Sequence, residues 1–391
     1  MKNYRFVFVL CFFTALIVSS CVEEEMLGDD DIIVGTGLDA TAQQTLAQTL
    51  DLPNGYYDYE ATMTLPNFLN NQDVRREDNT PNNNPITNEG ATLGRVLFYD
   101  SNLSGNNTTS CASCHGKEVG FSDDDAFSVG FEGGLTSRNS MGIANARFYE
   151  NGRFFWDERA ASLEDQVLMP IQDHVEMGMT LEELVTKLET EDYYEILFRD
   201  AFGDEEVTSN RISLALSQFI RSIVSFNSKY DQGLEQGGNG ENLPNFTNQE
   251  NQGLRLFNQL NCDNCHRTEL FVGDEARNNG LDANLTDNGL GNVTGNANDN
   301  GKFKVPSLRN IELTAPYMHD GRFTTLFEVV EHYNSGVQAS ATLDNRLRGN
   351  GNQPRRLNLS NADKNALVAF LQTLTDEDLA NDPKYTNPFR N

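Results

Sequence analysis

Residues Ser110–Gly116 read "SCASCHG", and Asn261–Arg267 read "NCDNCHR". Each stretch sets two cysteines two residues apart, with a histidine directly after the second. On a helical turn, two thiols at that spacing can both reach the vinyl groups of one porphyrin while the adjacent imidazole reaches its iron. This is the attachment pattern of c-type haem. A zinc site would need a fourth ligand beside Cys111, Cys114 and His115, or a site shared by both motifs, and a redox dithiol has no use for the histidine. The expectation is two covalently bound haems c. Cys111 and Cys114 hold the first with His115 as proximal ligand; Cys262 and Cys265 hold the second with His266.

The surrounding sequence repeats as well. "LGRVLFYD" precedes the first motif and "GLRLFNQL" the second. Further on, Trp156-Asp157-Glu158-Arg159 is followed by Leu163 and Val167, and His319-Asp320-Gly321-Arg322 by Leu326 and Val330, at the same offsets. A chain of 391 residues is long for one core. The predicted fold class is all-α, with two cytochrome c-like haem domains in tandem, 88–235 and 236–391.

Helical spacing of Leu93, Val96 and Leu97, and of Ile212, Leu216, Phe219, Ile220 and Ile223, marks apolar faces. Thr180 with Glu183 and Thr247 with Glu250 read as capping boxes, and an amphipathic helix is expected after Ser360. Residues 22–87 read as an acidic and polar tether with an N-terminal extension, starting from "VEEEMLGDDD". The Gly/Asn-rich stretches 231–245 and 283–301 read as an interdomain linker and a long loop.

Twenty-nine basic against fifty-eight acidic residues give a net charge of -29, which repels phosphate backbones and anionic lipid. Nucleic-acid binding is therefore not expected. The same charge would attract a small basic electron carrier. The N-terminus, "MKNYRFVFVLCFFTALIVSSC", has Lys2 and Arg5, then an apolar run, then small residues ending at Cys21. It reads as a signal peptide over 1–21 of the lipoprotein form, with Cys21 acylated and the protein anchored in the periplasm or cell envelope. The run from Phe6 to Val18 is short for a membrane span.

Four stretches, "LGRVLFYDSNLSGNNTTSCASCHG", "FFWDERAASLEDQVLMPIQDHVEMG", "NCDNCH" and "VPSLRNIELTAPYMHDGRFTTLFEVVEHYNSG", together resemble the bacterial di-haem cytochrome c peroxidases and their relative MauG, a tryptophan-tryptophylquinone maturation enzyme. The resemblance covers roughly residues 88–375. It implies that Trp156 relays electrons between the haems, that Glu176 is the acid/base that moves a peroxide proton, and that Gln166 hydrogen-bonds in the same pocket. It also implies a calcium ion held by the Asn139 side chain and the carbonyls of Thr314 and Pro316, oxygen donors that suit Ca²⁺.

Where the peroxidases carry a methionine fourteen residues after the "HDG" histidine, this chain has Tyr333. That is similar to the MauG type, in which tyrosine ligates the second haem; Met318 and His332 are alternatives. Phenolate is a harder donor than thioether and lowers the reduction potential. The position equivalent to Tyr333 in the first repeat, counted from Trp156, is Pro170, which cannot bind iron. Many peroxidases block the oxidised first haem with a histidine where this chain has Phe131. One haem is thus expected to be open and the other closed.

The leading expectation is a peroxidase that reduces hydrogen peroxide at the N-terminal haem with electrons relayed through the C-terminal one. The alternatives are a MauG-like oxidase acting on a protein or organic substrate, and a non-catalytic di-haem electron-transfer protein. Expected partners are hydrogen peroxide, a small donor protein such as a cytochrome c or cupredoxin, and a second copy of the chain in a homodimer. Membrane contact is expected only through the lipid anchor.

Overall fold

The computed structural model describes residues 33–35, 37–238 and 240–390, so the predicted signal peptide and Cys21 lie outside the described residues. Among these, regular structure is helical apart from one antiparallel pair of two-residue strands, Ile33–Val34 on Tyr56–Tyr57. No described helix is long and apolar enough to cross a membrane.

Two helix crossings organise the chain. Asn88–Tyr99 lies across Ser209–Ser222, and Asn248–Gln259 lies across Asn361–Gln372. Both crossings rest on a glycine. A β-carbon on Gly94 would stand 2.0 Å from the Ala215 carbonyl oxygen, and one on Gly253 would stand 2.0 Å from that of Ala366. The backbones can approach this closely only because neither glycine has a side chain. One turn further on, Phe98 meets Phe219 at 5.3 Å between ring centroids, and Phe257 meets Phe370 at 5.2 Å. Leu93, Val96 and Leu97 are fully buried beside the first crossing, as the helical spacing predicts. Each such side chain contributes about 1.5–3 kcal/mol by leaving water. The capping boxes at Thr180 and Thr247 form as predicted, and others form at Ser228, Thr325 and Ser360.

The two helical cores meet along a seam. Leu69, Val74, Phe148 and Tyr149 pack with Leu270 and Val272. Arg309, its side chain fully buried, pairs with Asp231 at 2.7 Å within the second core and reaches the seam by donating to the Ser225 carbonyl. Arg138 makes two bonds to Asp287, at 2.8 and 3.0 Å, and a third to Asp157.

Three expectations need correction. The tether reading fails from Ala40 onward: Ala40–Thr49 is a helix with Ala42 and Leu46 buried, Leu50 follows them into the core, and Gln72–Glu77 is a second helix that buries Val74. Apolar residues thinly spaced among Gln, Thr and Asn are enough to dock a segment when an existing core offers the other face. The stretch 231–245 is not a free linker. It begins inside the helix Lys229–Glu235, and its Leu243 is buried in the second core. The stretch 283–301 includes a short helix, Leu290–Thr294, and supplies Asp287 to the seam.

Candidate haem sites

The second motif forms a tight turn, Cys262–Asn264, and opens on a cavity of about 260 Å³. Cys262, Cys265 and His266 line it together with Phe257, Leu260, Val305 and Leu308. The His266 Nδ1 faces the carbonyls of Phe271 and Pro306, at 3.3 and 3.2 Å, so the ring is oriented with Nε2 left over as a donor. Burial pushes His266 down to about 4 and keeps the imidazole neutral. Burial also pushes the Cys262 thiol up to about 12.

Tyr333 lines the same cavity from a π-helical turn, His332–Gly336, a geometry frequent at functional sites. Burial pushes its hydroxyl up to about 12, against a hydrogen bond from Asn279 that pulls it down. The Asn279 amide also donates to the Met318 sulfur at 3.4 Å, while its carbonyl faces His332 Nε2 at 3.1 Å. One residue thus fixes all three side chains that compete as second ligand, and it leaves His332 engaged away from the cavity. Arg277 lines the cavity too. It is buried and already paired with Asp274 and Asp344, at 2.6 and 3.0 Å, and only its Nε has no hydrogen-bond partner among the described residues.

This donor set fits a haem. The walls are apolar, two thiols stay protonated, and one neutral imidazole has a free nitrogen. It does not fit the rivals. A redox dithiol needs a depressed thiol pKa, whereas Cys111 and Cys114 are pushed up by burial to about 12 and 11. Among the described residues no three His, Cys, Asp or Glu side chains converge as zinc ligands would.

The first motif repeats the turn at Cys111–Ser113, and His115 Nδ1 faces the Phe121 carbonyl at 3.1 Å. Burial again lowers the His115 pKa. Glu176 lies close enough to raise the pKa of both Cys111 and Cys114. Its own pKa is raised, mainly by burial and then by Asp173, with Arg159 opposing. Phe131 sits over this segment: its N–H donates to the Glu176 carbonyl at 3.0 Å and its ring packs at Gly178. Gln166 ends the helix Leu163–Gln166, but no hydrogen bond joins it to Glu176. Pro170 stands in the first turn of the helix Met169–Gln172.

Trp156 stands between the halves. It lines the second cavity, its indole N–H donates to the Asn139 carbonyl at 2.9 Å, and its carbonyl accepts from the Lys304 N–H at 2.8 Å. Asn139, Thr314 and Pro316 line the same cavity. The Asn139 amide nitrogen donates to the Asp125 carbonyl at 3.2 Å, which points its Oδ1 elsewhere.

Comparison with known proteins agrees with this geometry. The family model described as "Di-haem cytochrome c peroxidase" matches residues 88–239. The methylamine utilization protein MauG of Methylophilus methylotrophus is 32% identical over 300 residues, covering 75% of this chain and 84% of that protein. The chain belongs to the MauG and di-haem cytochrome c peroxidase family. Within this family, the cytochrome c551 peroxidase of Nitrosomonas europaea is 34% identical over 291 residues, 73% of this chain and 80% of that one. A solved MauG-like protein associated with microbial copper homeostasis superposes with a TM-score of 0.72 at 33% identity, covering 83% of this chain and 98% of that one. Membership fits a di-haem cofactor and redox chemistry of the peroxidase or oxidase type.

Sequence reading missed Asn279, Arg277 and Lys304. None belongs to a motif, and each matters through partners distant in the chain.

Proposed function

We propose that this protein is a MauG-like di-haem oxidoreductase that uses hydrogen peroxide to oxidise a protein or organic substrate, rather than a peroxidase fed by a reduced cytochrome. The observation that carries the reading is Tyr333 in the second cavity, held by Asn279 and near Cys262 and Cys265. Bound haem supplies one-electron redox chemistry and a site at which peroxide reacts. Cys111, Cys114 and His115 would hold the first haem, and Cys262, Cys265, His266 and Tyr333 the second.

The chain's own residues do the rest. Glu176, its pKa raised by burial, takes the proton from one peroxide oxygen and returns it to the other. Gln166 supports it. Phe131 shields that pocket and brings no nitrogen ligand, and Pro170 brings none either. Trp156 carries electrons between the halves. A calcium ion would draw on Asn139 Oδ1 and the Thr314 and Pro316 carbonyls. A periplasmic or cell-envelope location fits the bacterial relatives, with Cys21 as the lipid anchor.

Met318 in the same cavity favours the second reading, a cytochrome-fed peroxidase. Potentiometric titration of the holoprotein and of Tyr333→Met separates the two. An anionic oxygen donor holds the second haem at low potential, and the substitution should raise it and bring on peroxide-dependent oxidation of a reduced cytochrome. A native second haem already at high potential, or a potential unmoved by the substitution, would transfer the case to the peroxidase.

A further inference from the structure

Beside Trp156 lies a buried polar cluster that the reading above does not use. Tyr149 is 0% exposed and Glu158 2% exposed, and the Tyr149 hydroxyl donates to the Glu158 carboxylate. The other Glu158 oxygen accepts from the Asn151 side chain at 2.9 Å. Lys304 comes from the opposite half. Its Nζ stands 3.8 Å from the centre of the Tyr149 ring and 4.5 Å from that of Phe154, and it donates to the Arg153 carbonyl at 3.0 Å. The backbone N–H of Lys304 is the group that bonds the Trp156 carbonyl.

This arrangement has a chemical consequence. A phenol gives up an electron readily only if its proton leaves as well, because the cation left behind is a strong acid. Burial pushes Lys304 down to about 7, and while its Nζ is protonated the charge on the ring face makes that cation still more costly. A carboxylate bonded to the hydroxyl removes the cost by taking the proton. Electron and proton are therefore constrained to leave Tyr149 together, the electron towards Trp156 and the proton to Glu158. Tyr194 with Asp100, and Tyr56 with Asp200, are also tyrosine–carboxylate pairs, but they lie in the first core without a link to Trp156.

We propose that Tyr149 is a redox-active side chain that supplies an electron when peroxide is present and no other reductant is, becoming a neutral tyrosyl radical as Glu158 takes its proton. Hydrogen peroxide takes up two electrons and two protons to give two waters. Tyr149 supplies one electron and the haem pair the other, the two protons come from solvent, and the Tyr149 proton stays on Glu158. The inference rests on the di-haem reading, which supplies peroxide as the oxidant.

The test is electron paramagnetic resonance of the frozen holoprotein after peroxide addition, with the haem absorbance followed in parallel. The expected result is a tyrosyl signal that disappears in Tyr149→Phe and persists in the control Tyr194→Phe. Glu158→Gln keeps an acceptor for the hydroxyl but cannot take its proton, so the signal should disappear there as well, with the native haem spectrum and melting temperature retained. Mass spectrometry of the wild-type protein should find peroxide-dependent oxidation at Tyr149, a readout that needs no variant to fold. If peroxide changes the haem spectrum but the radical survives Tyr149→Phe, or never forms, this inference is overturned and the di-haem reading stands. If peroxide leaves the haem spectrum unchanged, the reading fails and the inference with it.

Discussion

The two CxxCH motifs sit in frames built alike, and they differ where iron chemistry would be decided. Gly94 against Ala215 and Phe98 against Phe219 recur as Gly253 against Ala366 and Phe257 against Phe370. His115 leans on the Phe121 carbonyl as His266 does on that of Phe271. Leu163 and Leu326 each open a helix behind a hydroxyl cap, Ser162 and Thr325. Against this sameness, the first half has Pro170 where the second has Tyr333, and Trp156 where the second has His319. Close packing fixes the frame, because changing it disturbs many contacts at once. The positions that would set ligation lie at helix ends and turns, where a single residue can change without repacking the core.

The largest effect should come from the buried ion pair that the second half has and the first lacks at this place in the frame. Asp231→Ala leaves Arg309 buried and unpaired, and should destabilise the holoprotein by about 3–5 kcal/mol in denaturant unfolding. A loss comparable to that of an exposed ion pair would mean that the second core is held by its apolar contacts alone.

Glu176→Gln probes the asymmetry directly. Both haems should remain attached while peroxide turnover falls by roughly 10²-fold, the scale of a lost acid/base group. Unchanged turnover would move the proton role to another residue.

Gly94→Ala and Gly253→Ala test the sameness. Each methyl is driven into a helix carbonyl, so each should cost about 1–3 kcal/mol, and by similar amounts if the crossings are equivalent. Markedly unequal losses would show that one half tolerates separation of its helices.

A smaller effect is expected with pH. Burial pushes Glu77 up to about 8, and its carboxylate accepts from Thr268 of the second half. The folded state therefore binds this proton more tightly than the unfolded chain does. The stabilisation is complete below the ordinary glutamate range, declines above about 4.5, and is lost as pH rises through 8. Glu77→Gln should flatten the fall of melting temperature across that window; an unchanged slope would assign the fall to other groups.

Much of the frame was legible in the sequence because its signals are local. The CxxCH turns, the capping boxes and the spacing of Leu93, Val96 and Leu97 are each complete within a few residues. Tyr333 and Pro170 were found by counting along the repeat. Asn279 could not be found that way, since it acts by holding Met318, His332 and Tyr333, which lie 39, 53 and 54 residues away in the chain. Lys304 and Arg277 were hidden for the same reason. Residues 40–87 looked like tether because their apolar residues are sparse, and they dock only because the core they meet is already formed.

In the function proposed above, one repeated frame offers the haem iron a second side-chain ligand and the other offers none. The electron paramagnetic resonance spectrum of the as-isolated ferric protein, recorded with and without cyanide, tests it most directly. Two haems in different states are expected, one high-spin and converted by cyanide without prior reduction, the other already six-coordinate and unchanged by it. Two low-spin haems in the oxidised protein would contradict the account, because a ligand would then be reaching the first iron despite Pro170 and Phe131.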